Sequence, residues 1–159
     1  MAMTDTLTGA ANRRSANEFM NKEYDRTQRE GESLTLIMMD VDKFKKINDS
    51  YGHEMGDHVL KEMTRVAKEL MRTSDLLVRW GGEEFLVVAP NTDATQGFEL
   101  AESIRLAIEK TPIEGCHPVT VSMGVSLIGP GENLENALGR ADAALYQAKE
   151  SGRNRSIMA

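Results

Sequence analysis

Two segments set carboxylates beside glycine and lysine in a pattern suited to phosphate and metal chemistry. The first, RWGGEEF at residues 79–85, lies between the β-prone runs LLVRW and FLVVAP. Two such runs joined by Gly81 and Gly82 predict a tight hairpin, because glycine takes the positive φ angles of such turns. Strand alternation then sends Glu83 and Glu84 to opposite faces. A glycine pair also leaves the backbone open to close approach by another molecule. The second segment, DVDKFKKINDSYGHEMGD at residues 40–57, opens with Asp40 and Asp42 at the end of an apolar run. Either acidic motif alone reads equally well as solvated charge. Brought together, their carboxylates repel unless a cation intervenes, and an all-oxygen donor set favours Mg²⁺ or Mn²⁺. Lys43, Lys45 and Lys46 follow at once. In isolation they are a solvated cluster; beside the carboxylates they and the local backbone amides suit phosphate oxygens.

The elements that must position these groups follow from periodicity. A polar helix is predicted over residues 12–29. A buried strand follows over Leu34–Met39, where the apolar run is continuous. Val59, Leu60, Met63, Val66, Ala67 and Leu70 recur at helical spacing within Met55–Met71. The hairpin strands are predicted at Leu76–Trp80 and Phe85–Ala89, a helix at Thr95–Lys110 and a strand at Val119–Ile128. A last helix carries Leu134, Leu138, Ala141, Leu145 and Ala148, with Gly152 as its stop. The central order β-α-β-β-α-β predicts an α+β, ferredoxin-like core with an antiparallel sheet and added terminal helices. Its two central strands are the first and third, so the Asp40 end of one lies beside the hairpin tip.

Composition narrows the function classes. The chain has 159 residues, 40% hydrophobic and 28% charged, which fits one domain spanning residues 1–159. A net charge of −6 disfavours a broad nucleic-acid or membrane footprint. It also disfavours a polymerase-like enzyme, which needs a basic template surface. The single Cys116 excludes an intrachain disulfide and suits a cytoplasmic location. No apolar run has the length of a membrane span. The ten methionines read as core filler. Patterned sequence from the first residues onward implies a piece of a longer protein, with a regulatory module ahead of it.

The two segments together resemble the GGDEF family of diguanylate cyclases, in its GGEEF form. The likeness runs from DTLTGAANRR near the start to ADAALYQAKESGRNR near the end. It implies a palm-like fold akin to adenylyl cyclase catalytic domains, and condensation of two GTP to cyclic di-GMP with release of two pyrophosphates by a homodimer of GTP-loaded domains. It implies metal ligation by Asp40, Glu83 and the Val41 carbonyl, with Glu84 either a second metal ligand or an aid in removing the 3′-hydroxyl proton. The amides near Lys43 and Phe44, with the Lys45 side chain, would cradle the terminal phosphates, and Lys149 and Arg153 would reach the triphosphate. The same two cations also suit a helix C-terminus.

The resemblance also assigns guanine selection to Asn48 and Asp57, which suits the chemistry, since a carboxylate accepts from the N1–H and N2 amino edge. Turn chemistry for Asn48 and helix capping for Asp57 are the plainer readings. Leu7 and Leu60 would pack on the base, and His53 either contacts substrate or supports the fold. The resemblance leaves Gly81 and Gly82 side-chain-free to clear the nucleotide. It also makes Arg72 and Asp75, in RTSD, an inhibitory site for the product, where four letters alone are an ordinary surface ion pair. An auxiliary arginine position of that site is filled by Ser103, with Arg105 two residues on. The alternative to an enzyme is a catalytically silent module that binds GTP or cyclic di-GMP.

Overall fold

The computed structural model describes residues 2–159. Five strands form one sheet in the order β2-β3-β1-β4-β5: β1 Leu34–Val41, β2 Leu76–Arg79, β3 Glu84–Pro90, β4 Val121–Leu127 and β5 Ser156–Met158. The pairs β1–β3, β1–β4 and β2–β3 are antiparallel, and β5 joins β4 in parallel. The first four strands have the predicted ferredoxin-like order, with β1 and β3 adjacent.

Helices cover both faces, and the period of two in the strands sorts the side chains between them. Ile37, Met39, Val41, Phe85 and Val87 pack towards α3 (His53–Leu70) and α4 (Ala94–Lys110), where Val59, Leu60, Met63, Ile104 and Ile108 meet them. Leu34, Leu36, Met38, Leu86 and Val88 pack towards α1 (Arg13–Glu30) and α5 (Leu134–Glu150), against Ala16, Met20, Ala141 and Leu145. This two-sided burial explains why β1 is a continuous apolar run rather than an alternating one. Helix α5 rests almost directly on β4: a Cβ at Gly124 would lie 2.0 Å from the Ala141 carbonyl oxygen.

Element ends follow local chemistry. The Asn12 side chain caps α1 by accepting from Ser15 N–H, and Gly31 closes the helix at φ 69°. Asp93 and Gln96 form a capping box on α4. Gly152, at φ 126°, lies just past the end of α5, where a stop was expected. Two elements were not foreseen. The lysine-rich stretch after β1 forms a short helix, α2 (Phe44–Tyr51), which Gly52 separates from α3. Strand β5 has only three residues and exists through pairing with β4. Among the described residues no helix is long and apolar enough to cross a membrane.

Candidate active site

Strand register builds the carboxylate cluster. Asp40 pairs directly with Glu84 across β1 and β3, so both side chains lie on the α1/α5 face of the sheet. Asp40 is 4% exposed, and Lys149 from α5 donates to its Oδ2 at 2.7 Å. Glu83 precedes β3 and is not bound by strand alternation; it shares a hydrogen bond with Asp40. The expectation that Glu83 and Glu84 face apart is therefore corrected: both approach Asp40. Burial above all, then the Asp40 charge and hydrogen bond, pushes the Glu83 carboxyl up to about 7. Burial, Asp40 and Asp142 also raise Glu84, against the opposing charges of Lys149 and Arg13.

The glycines serve the tip by being small, not by adopting positive φ. Neither Gly81 nor Gly82 is in the left-handed region, which corrects the turn geometry inferred from sequence. The Trp80 and Gly81 amides both donate to the Glu84 carbonyl, at 2.9 and 3.1 Å, and Arg79 donates to the Gly82 carbonyl at 2.8 Å. Arg79 also ion-pairs with Asp5 at 3.2 Å, docking the N-terminal DTLTG turn on the hairpin. A Cβ at Gly82 would meet nothing within 4 Å, and one at Gly81 would crowd only Glu84. The tip is open to another molecule.

The donor set suits a hard divalent cation. Asp40, Glu83 and the Val41 carbonyl are the oxygens that could hold one at the junction of β1 and the tip, where burial first and then the Asp40 charge raise the Glu83 carboxyl. Among the described residues no three Asp, Glu, His or Cys side chains stand as a ready-made ligand group. A site built from two carboxylates and a carbonyl is consistent with that, since Mg²⁺ typically takes few protein ligands and keeps places for water and phosphate. Asp42 plays no part in it. Its carboxylate accepts from Thr120 Oγ1 (2.7 Å), Ser122 Oγ (2.6 Å) and the Asn154 amide (3.0 Å), which anchors the turn after α5.

On the other side of Asp42, a groove of about 410 Å³ is lined by Lys43, Lys46, His117, Thr120 and Arg153. Lys43 and Arg153 hold left-handed backbone, at φ 55° and 63°. Lys43 caps α2 without a side-chain hydrogen bond, and the first amides of a helix have no partner within the helix itself. Phe44 itself is buried in the core. Lys45 is exposed on α2, and Lys46 rather than Lys45 lines the groove. The sequence groups Lys46 with Lys43 and Lys45 as phosphate counter-charge but carries no signal for His117 in the groove.

The proposed base readers lie on the facing helices α2 and α3. Asn48 is within α2 rather than in a turn, and Asp57 is inside α3, whose N-cap is Gly52. Both plainer readings are thereby removed. Asn48 nests against Gly56, where a Cβ would lie 1.9 Å from its Oδ1. Gly56 was missed, although a glycine inside a predicted helix is a signal of close approach. His53 is the exposed first residue of α3. Leu7 is partly buried, whereas Leu60, at 1% exposure, belongs to the core and has little surface for a base.

Arg72 and Asp75 sit at the opposite end of β2 from the tip. They are more than a surface ion pair: the Asp75 side chain is 1% exposed and accepts from the Arg72 amide at 2.9 Å and guanidinium at 3.0 Å. Arg72 also donates to the Pro90 carbonyl and to Thr92 Oγ1. A groove of about 370 Å³ runs past them, lined also by Gly9, Lys68 and Thr73. Arg105 does not join this site. It binds Glu102 at 2.6 Å and Asn154 Oδ1 at 2.9 Å, tying α4 to the C-terminal segment, while Ser103 is exposed.

Comparison with known proteins agrees with this geometry. The family described as "Diguanylate cyclase, GGDEF domain" matches residues 2–155. The response regulator PleD of Caulobacter vibrioides is 41% identical over 160 residues, covering 97% of this chain and 35% of PleD. Diguanylate cyclase DgcM of Escherichia coli is 39% identical over 155 residues, covering 98% of this chain and 38% of DgcM. The chain thus spans little more than a third of these relatives. The GGDEF domain of DgcB from Caulobacter crescentus, solved in complex with c-di-GMP, superposes with a TM-score of 0.95 at 32% identity, covering 99% of this chain and 96% of that one. With a family match across nearly its whole length and the GGEEF tip set against Asp40, the chain belongs to the GGDEF family of diguanylate cyclase domains.

Proposed function

We propose that this domain is a catalytically active, metal-dependent diguanylate cyclase acting in the cytoplasm on GTP. The observation that carries the reading is the convergence of Asp40, Glu83 and Glu84 beneath an open glycine tip, with Lys149 at 2.7 Å from Asp40. Clustered, desolvated carboxylates with raised protonation are the arrangement that a metal and phosphate site explains.

Each of two condensations joins a 3′-oxygen to an α-phosphorus and breaks the bond to the β-phosphate, releasing pyrophosphate. A divalent cation, Mg²⁺ or Mn²⁺, held by Asp40, Glu83 and the Val41 carbonyl would neutralise phosphate charge. Asn48 and Asp57 select guanine. Lys43, Lys45, Lys149 and Arg153, with the first α2 amides, hold the triphosphate. Glu84, its carboxyl raised by burial and Asp40, is the group near the tip suited to take the 3′-hydroxyl proton. One tip serves one GTP, and the product is two-fold symmetric. Two protomers therefore face each other, and alignment supplies much of the acceleration. Product binding at Arg72 and Asp75, remote from the tip, provides feedback without competing for the GTP site.

Incubation with GTP and Mg²⁺, with products identified by mass, tests the reading. The parent should form cyclic di-GMP with a specific activity that rises with enzyme concentration, and Glu83→Gln should form none while remaining folded. GTP binding without turnover by the parent would establish the silent module instead.

A further inference from the structure

We propose that Arg13 is a positioning residue for the GGEEF tip, acting through the face of Trp80. This inference rests on the reading of the tip as a metal and phosphate site. The Arg13 guanidinium lies over the Trp80 ring, 3.9 Å from its centroid. Trp80 is the last residue before the two glycines, and its amide donates to the Glu84 carbonyl at 2.9 Å. The residue that carries the ring is therefore tied by one backbone hydrogen bond to the backbone of Glu84, and holding the ring holds one side of the turn.

Arg13 is itself fixed with respect to that turn. The Ala11 amide donates to the Leu77 carbonyl and the Arg79 amide to the Ala11 carbonyl, both at 2.9 Å, so Ala11 forms a parallel bridge to β2 at Val78. Helix α1 starts two residues later, at Arg13. On the other side of the hairpin base, Arg79 joins Asp5 to the Gly82 carbonyl. Two guanidinium groups thus brace the tip, one on an aromatic face and one on a backbone oxygen.

Helix chemistry does not explain the residue. The first turn of α1 carries Arg13 and Arg14 and no acidic residue, so the positive end of the helix dipole faces like charge. A side chain that opposes its own helix and stacks on the hairpin marks a local choice made for the site. Indole is the most favourable ring for a cation–π contact, and guanidinium is its commonest partner.

The test uses Arg13→Met, which keeps an unbranched apolar stem, and Arg13→Lys, which keeps the charge without the planar stack. Trp80 is the sole tryptophan, so its emission reports the tip directly. In Arg13→Met, acrylamide should quench Trp80 more readily and Mn²⁺ affinity by calorimetry should fall about two- to fivefold. The thermal midpoint should hold or rise, because a cation has left the helix N-terminus. Arg13→Lys should lie between Met and parent in both readouts. Unchanged quenching with unchanged Mn²⁺ affinity would overturn the proposal, as would a loss of affinity that merely tracks a lower midpoint. A parent that makes no cyclic di-GMP would refute the proposed function, while the fluorescence and metal readouts still decide the role of Arg13.

Discussion

Proton and metal should compete for the Asp40–Glu83 pair, with a pH dependence set by burial. The Glu83 carboxyl, raised to about 7 by burial and by Asp40, still holds its proton where an ordinary glutamate has lost it. Its folded value lies above its unfolded one, so its contribution favours the native state at low pH. That contribution is complete below about 4.5 and is lost as pH rises through about 7. Metal ligation needs the ionised carboxylate and runs the opposite way. With a titration centred near 7, roughly a tenth of the sites are ionised at pH 6 and about a hundredth at pH 5. Apparent Mn²⁺ affinity should therefore drop about tenfold from pH 8 to pH 6, and about tenfold again by pH 5. A carboxylate with the ordinary value would lose less than about twofold over the same range. Calorimetric titration in two buffers of different ionisation enthalpy measures both affinity and protons released. Close to one proton should leave per Mn²⁺ at pH 6 and almost none at pH 8.5, with the proton belonging to the coupled pair rather than to Glu83 alone. The metal-free protein should also show a falling thermal midpoint from pH 5 to 8, restored by Mn²⁺. An Mn²⁺ affinity that is flat from pH 6 to 8, with no proton release, would refute the assignment of Glu83 as a half-buried ligand next to Asp40.

Three further outcomes follow from the packing. Gly56→Ala should raise the KM for GTP about tenfold by displacing Asn48 (a shift of about 1.4 kcal/mol), despite the better helix propensity of alanine; an unchanged KM with a higher thermal midpoint would remove Asn48 from base recognition. Arg72→Ala should weaken cyclic di-GMP binding by roughly 1.5–3 kcal/mol in calorimetry and prolong turnover in progress curves. It should also lower the thermal midpoint, because Asp75 and the Pro90 carbonyl lose a partner; product binding as tight as in the parent would leave Arg72 a purely structural residue. Asp57→Ala should relax discrimination of GTP from ATP in competition binding, and retained selectivity would exclude it as the guanine reader.

Sequence by itself determined the order of the main elements, the ferredoxin-like strand arrangement and the location of the glycine–carboxylate tip. Those features are written in local signals: the two-sided apolar run of β1, the helical spacing of α3, α4 and α5, and glycines set between β-prone runs. DVDKFKKIND and RWGGEEF stand out by residue type only when taken together, and the roles proposed for Asn48, Asp57, Lys149 and Arg153 come from the resemblance to the GGDEF family rather than from residue type. What tertiary structure decided is how the charges pair, since that depends on register and on which helix covers which face. Asp40 and Asp42 look alike in sequence, yet Asp40 meets Lys149, Glu83 and Glu84, while Thr120, Ser122 and Asn154 consume Asp42. Glu83 lies outside the strand, so alternation could not predict its direction. Leu60 carries the helical period of the core and was assigned to the base, but only packing revealed that it is buried. Arg13 and Trp80 stand 67 positions apart, and no periodicity links them; the Ala11–Val78 bridge brings them together. Short-range patterns fix which backbone forms, because they act between neighbours in the chain. Charge compensation is a long-range property, and it emerges only when the sheet and its two helical layers have closed.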